Sequence, residues 1–223
     1  MTFAVNHLIG FGARRAAGAT AITRTYITSA ASASDLTTYT FAGIVATAGA
    51  TRKCVAVITA RGATATTTLS TCTIAGVSAT CTTLYGAGNS QVSIAVADVP
   101  TGSTGDVVVT FSAGMARAAV ALYDMFGASS STPTATGNDA TDAYTYSLTC
   151  TAGSVVFAGA TDAETSSFTW TNLTENVDST ANYDSQTYSM ASAEFATSQS
   201  GLTLTGDIAA TISGGSGFAV FSP

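Results

Sequence analysis

Gln91–Ser112 reads QVSIAVADVPTGSTGDVVVTFS. Its first nine residues alternate between two faces with a period of two, which is the signature of a strand rather than a helix. Pro100-Thr101-Gly102 then punctuates the run, because proline presets φ and glycine tolerates a positive φ at a turn. Asp106–Ser112 (DVVVTFS) resumes a β-branched run directly afterwards. Two strands around a tight turn, with no helical spacing between them, put this part of the chain in the all-β class.

The pattern extends in both directions. Upstream, Thr38–Gly43 (TYTFAG) alternates aromatic and small polar residues. Lys53–Arg61 (KCVAVITAR) is a near-continuous apolar run with charged ends, expected as a central strand buried on both faces. Leu69–Ile74 and Val77–Leu84 flank Gly76 and read as a hairpin. Downstream come Ala116–Met125, Tyr144–Cys150, Ser154–Ala160, Phe168–Asn172, Gln186–Ala193, Leu202–Gly206, Ile208–Ile212 and Gly217–Phe221. ARAAVALYDM (Ala116–Met125) is the best helical competitor, but its Val and Tyr content and the following Gly127 favour strand. Evenly spaced short strands with turn signals predict one large antiparallel β-sandwich, jelly-roll-like, over residues 35–223. Gly127–Asp142, rich in Ser and Thr, is expected as an exposed crossover within it; a linker between two domains is the alternative.

Residues 1–34 differ from the rest. They hold Arg14, Arg15 and Arg24, no acid, the sole histidine His7, and small-residue tracts. Periodicity is weak, so this segment is expected as an extended N-terminal arm with one short strand at Arg24–Ile27. It lacks the apolar core of a signal peptide, and no apolar run approaches the roughly 18 residues that span a bilayer, so a soluble chain with no membrane partner is expected.

Only 9% of the residues are charged, against about a quarter in ordinary soluble domains. Thr, Ser, Ala and Gly take their place, leaving faces that tolerate close packing against neighbours. All seven basic residues lie within the first 117 positions, against Asp35, Asp98 and Asp106; the other ten acids follow Arg117. An acidic chain with a single lysine lacks the clustered cations that neutralise phosphates, so no nucleic-acid partner is expected.

The search for chemistry returns little. Nucleophilic catalysis needs a positioned base, and His7 lies in the arm; no GxSxG occurs. The glutamates Glu164, Glu175 and Glu194 form no same-strand pair of the kind glycosidases use. No enzyme, cofactor or metal is expected. Asn138, Asp139 and Asp142, with Asp162 and Glu164, offer oxygen-rich loops that match no defined calcium motif and read as turn residues. Cys54, Cys72, Cys81 and Cys150 form no CxxC and read as buried free thiols, with Cys72–Cys81 the pairing to expect if one bridge exists. Trp170 and Phe168 share one strand face and read as core. The competing reading makes Trp170, with Tyr183 and Tyr188, a glycan-binding platform.

Four motifs stand out: Tyr39–Gly43, the Arg52–Val57 strand, Thr73–Thr80 (TIAGVSAT, with Ala75 where the pattern has Gly) and Val99–Ser112. Together with TWTNLTE and a Gly-rich last strand, they resemble a group of small β-sandwich virion proteins of tailed phages and prophages, over roughly Thr38 to Pro223. The resemblance implies a virion structural protein assembled in the host cytoplasm and carries no catalytic signature. Within it, the expectation is a capsid decoration or cement protein contacting the major capsid protein or other virion proteins. Arg14, Arg15 and Arg24 would be the arm contacts, since arginine forks suit carboxylates. The uncharged faces would build a homo-oligomer, with a trimer favoured. A tail- or fibre-associated adhesin binding host glycan is the alternative.

Overall fold

The computed structural model describes residues 20–45, 51–62, 67–102, 104–141, 143–163, 167–179, 186–208 and 214–223. Every regular element among them is a strand, and every pairing is antiparallel. The first half comprises β1 (Thr23–Ser32), β2 (Leu36–Val45), β3 (Arg52–Gly62), β4 (Leu69–Ile74), β5 (Val77–Ser78), β6 (Thr80–Ala87), β7 (Ser90–Asp98) and β8 (Thr104–Phe126). The second comprises β9 (Ala135–Asp139), β10 (Tyr144–Cys150), β11 (Ser154–Asp162), β12 (Phe168–Thr171), β13 (Thr174–Ser179), β14 (Thr187–Phe195), β15 (Gln199–Ile208) and β16 (Gly215–Phe221).

The all-β sandwich class is as the sequence reads it, and its layering is richer. β8 is one 23-residue strand that serves two walls. Its first part pairs with β2 and β4, and its second part with β1 and β3. The alternation of burial breaks at the exposed Ser112-Ala113-Gly114, where the strand passes from one wall to the other. The inner wall therefore runs β1-β8-β3-β7-β6, and the outer wall β2-β8-β4-β5. In the second half the inner sheet runs β9-β16-β11-β14-β13 and the outer sheet β10-β15-β12. Strand for strand, the second half repeats the order of the first, with β5 the one addition. Register repeats as well: Val55 lies opposite Tyr123 and Val57 opposite Ala121, as Val155 lies opposite Phe221 and Phe157 opposite Ala219.

Four layers enclose three cores. The first half closes over Tyr39, Phe41, Ile58, Val109 and Leu122. The second half closes over Tyr146, Val156, Phe168, Trp170 and Leu204. Between the inner sheets lies a shared core that includes Val57, Ile94, Tyr123, Phe157 and Phe221. Equivalent strands β3 and β11 face one another there. A Cβ on Gly159 would lie 2.9 Å from the γ-carbons of both Val57 and Val92, and one on Gly217 only 2.4 Å from the Leu84 Cβ. Glycine at these two positions lets the sheets approach at the crossing.

Residues 127–134 cross between the halves, and β9 follows them. β1 corrects the reading of the arm: ten residues, well beyond Arg24–Ile27, form the edge strand of the inner wall, so the sandwich starts at Thr23. The expected hairpin also divides. β5 pairs β4 for two residues, and after Ala79 the chain crosses to the opposite wall, where β6 pairs β7.

Candidate functional site

Ala21, Ile22, Gly153 and Pro223 meet beside the shared core, at the strand ends of the two inner sheets. The Ile22 N–H donates to the Gly153 carbonyl at 2.9 Å. A Cβ on Gly153 would lie 2.9 Å from the Ala21 Cα and 3.0 Å from the Pro223 Cγ. Ala21 and Pro223 thus both lie against Gly153. A cleft of about 210 Å³ opens there between Ala21–Thr23, Gly153 and Glu194–Ala196. Arg14, Arg15 and His7 themselves lie outside the described residues.

Arg24 is engaged within the chain. Its Nη2 donates to the Ser192 carbonyl at 2.9 Å, and its backbone N–H donates to the Glu194 carboxylate at 2.6 Å. These bonds stitch β1 to β14 across the shared core. An arginine committed to a neighbouring carbonyl is poorly placed to reach a separate partner, so Arg24 fits the assembly of the halves better than the role the sequence assigned it.

Trp170 is 8% exposed and belongs to the second-half core. Its ring covers Gly206, where a Cβ would fall 2.9 Å from the indole, and its Nε1–H donates to Ser189 Oγ at 2.7 Å. Stacking a sugar needs an exposed aromatic face, and Trp170 offers none. Tyr188, on the opposite face of β14 from Ser189, packs half-buried against the shared core, and Tyr183 lies outside the described residues. The structure does not bring Trp170 and Tyr188 to one surface.

The acids have local work. Asp139 accepts from the Thr141 N–H and hydroxyl and from the Thr145 N–H. Burial works to raise its pKa, but these bonds and one from the Ala140 N–H together hold it below the usual carboxylate range. Burial pushes Glu175 and Asp178 upward, against single hydrogen bonds from Ser189 and from the Phe168 N–H respectively. Asp142 and Glu164 lie outside the described residues, and among those described no three His, Cys, Asp or Glu side chains gather around a common point.

A buried ionic cluster escaped the sequence reading. Arg52 and Asp124 are 1% and 0% exposed, with Nε and Oδ1 3.8 Å apart. The guanidinium also donates to the carbonyls of Val99, Thr101 and Gly102, tying down the turn between β7 and β8. Cys54 donates its thiol to Asp124 at 3.6 Å, and burial pushes that thiol up to about 12 despite nearby Arg52. The available signals were Arg52 abutting the apolar β3 run and Asp124 interrupting VALYDMF. These groups hold a loop and one another; the thiol is protonated and enclosed.

The two outward faces of the stack are alike. On the first, Thr38, Thr110 and Thr71 form a row across β2, β8 and β4, with the hydroxyls of Thr38 and Thr110 3.0 Å apart. On the other, Thr145, Thr205 and Thr171 form the same row across β10, β15 and β12. In comparisons with known proteins, the chain matches no family model, no curated protein and no solved structure.

Proposed function

We propose that this chain is a virion structural protein of a tailed phage, a decoration or cement protein on the capsid surface. The observation that carries the reading is the meeting of Ala21 and Pro223 at Gly153. In the sequence a segment with two adjacent arginines and no acid precedes Ala21, which sits beside the shared core at the strand ends of the two inner sheets, the arrangement expected of an anchor held by both halves. The partner is the major capsid protein or another virion protein with an acidic surface, met by Arg14 and Arg15. The two hydroxyl-covered outer faces, nearly free of charge, favour side-by-side packing of copies, with a trimer the preferred symmetry. Motif resemblance from Tyr39 to the last strand supports the same class. Assembly would take place in the host cytoplasm and the mature location would be the particle. The adhesin reading loses its main support with Trp170 in the core.

The decisive experiment compares the full chain with a variant starting at Thr20, added back to particles stripped of this protein. Cutting before Thr20 matters because β1 begins at Thr23, and a cut at residue 35 would strip the edge from the inner wall. The expected result is an unchanged melting temperature and lost binding for the shortened chain. Equal binding would put the anchor on the sandwich, and failure of the full chain to bind would sink the decoration reading.

A further inference from the structure

The inner and outer walls of the first half form an almost closed barrel. Following the ladder from β5 through β4, β8, β3 and β7 to β6 leaves one seam, among the described residues, without strand pairing between β4/β5 and β6. The chain crosses that seam at Ala79. Cys72 lies on one side, in β4, and Cys81 on the other, in β6. Both side chains turn into the same core: Cys72 is fully enclosed, and Cys81 packs against it while remaining partly exposed.

Their neighbourhood is tight. The Ala79 N–H donates to the Cys72 carbonyl at 2.9 Å, and the Cys81 thiol donates to the Ala79 carbonyl at 3.7 Å. The Cys72 N–H faces the Cys81 sulfur, and the Cys81 thiol sits close enough for its charge to be felt at Cys72. Both are free in this structure. We propose that Cys72 and Cys81 are a paired modification site, forming a disulfide that staples the open seam of the barrel when the protein meets a low-molecular-weight disulfide oxidant. The staple is independent of any attachment to a particle.

The chemistry balances as two thiol–disulfide exchanges. The partly exposed Cys81, as thiolate, attacks one sulfur of oxidised glutathione and releases one glutathione thiolate. Cys72 then loses its proton to solvent and attacks the Cys81 sulfur, releasing the second glutathione. Two protein thiols and one glutathione disulfide become one protein disulfide and two glutathione thiols. Burial raises both cysteine pKa values, so exchange is slow at neutral pH and quickens with alkalinity.

The test treats the full chain with oxidised glutathione at mildly alkaline pH, then denatures it and counts thiols by alkylation and mass. The expected count falls from four to two, with a Cys72–Cys81 linked peptide and with Cys54 and Cys150 alkylated. The melting temperature rises by roughly 5–10 °C, as a short closed loop in a chain of this size implies, and reductant reverses the rise. Cys81→Ser, at a partly exposed site, should keep its three thiols and show no rise. Four thiols after prolonged oxidation, a lasting Cys81–glutathione adduct beside free Cys72, or a linkage between other cysteines would each overturn the proposal.

Discussion

The two halves of the molecule share a strand order and differ in how each is secured. In the first, one long strand, β8, runs through both walls, and an enclosed Arg52–Asp124–Cys54 cluster ties the turn between β7 and β8. The second divides the equivalent path between β15 and β16 and carries no Lys or Arg at all. There, a hydrogen-bonded network links the strands: Trp170 donates to Ser189, whose hydroxyl lies 2.7 Å from Glu175 and 2.8 Å from the Val177 carbonyl. One architecture thus accepts either an enclosed Arg–Asp pair or a carboxylate bonded by a hydroxyl. The largest expected contrast follows from this. Arg52→Met strands Asp124 without its cation and should cost about 3–5 kcal/mol, read as a lower urea midpoint at unchanged slope. Adding Asp124→Leu should recover part of the loss, and no recovery would mean that the guanidinium matters only for the turn carbonyls.

The next effect probes the contact between the halves. Gly217→Ala drives a methyl to within 2.4 Å of the Leu84 Cβ, which is no flexible chain end that could swing away. Overpacking of this kind costs about 1–3 kcal/mol. Calorimetry distinguishes two outcomes: a single transition at lower temperature if the halves melt together, or two transitions if parting the inner sheets leaves one half folded.

Much of the fold was legible. Strand β4 matches its predicted bounds, and β3 exceeds its own by one residue at each end, because β-branched runs between turn residues carry their own boundaries. The clearest clue to the four-layer stack lies in β3. KCVAVITAR is apolar on both faces, and in a two-layer antiparallel sandwich one face of each strand meets water. A strand buried on both faces therefore announces a further layer. β13 (TENVDS) went unread because its inward side chains are few and it pairs only as an edge strand. The continuity of β8 was hidden by Ser112-Ala113-Gly114, which resembles a turn and serves as a bend. At the site level, sequence periodicity put Trp170 in the core, whereas nothing local could reveal that Arg24 would meet Ser192, 168 residues away.

A finer contrast lies in two enclosed tyrosines, Tyr39 in β2 and Tyr144 in β10, both essentially unexposed. The Tyr39 hydroxyl lies 2.6 Å from the Met115 carbonyl and 2.8 Å from that of Ser34. Among the described residues, the Tyr144 hydroxyl is enclosed without a hydrogen-bond partner. Removing a made bond and removing a stranded group have opposite signs. Tyr39→Phe should cost about 1 kcal/mol, whereas Tyr144→Phe should be neutral or stabilise by about 1 kcal/mol. Equal losses from the two substitutions would show that the Tyr144 hydroxyl makes a hydrogen bond as well.

The smallest effects are in pH dependence, and they fall in the second half with opposite signs. Asp139 titrates below its ordinary value, so its contribution is present above the unfolded pKa and is lost as pH falls through the folded one. Glu175 and Asp178 titrate above theirs, so the folded state holds their protons more tightly than the unfolded chain. Their contribution is complete below the unfolded pKa and declines as pH rises through the folded value. Asp139→Asn should therefore weaken the protein at neutral pH and converge with the parent in acid. Glu175→Gln should flatten that decline, because the amide neither titrates nor feels Asp178. Urea midpoints from acid to neutral pH separate the two, and parallel curves for Glu175→Gln and the parent would mean that Asp178 alone carries the upward shift.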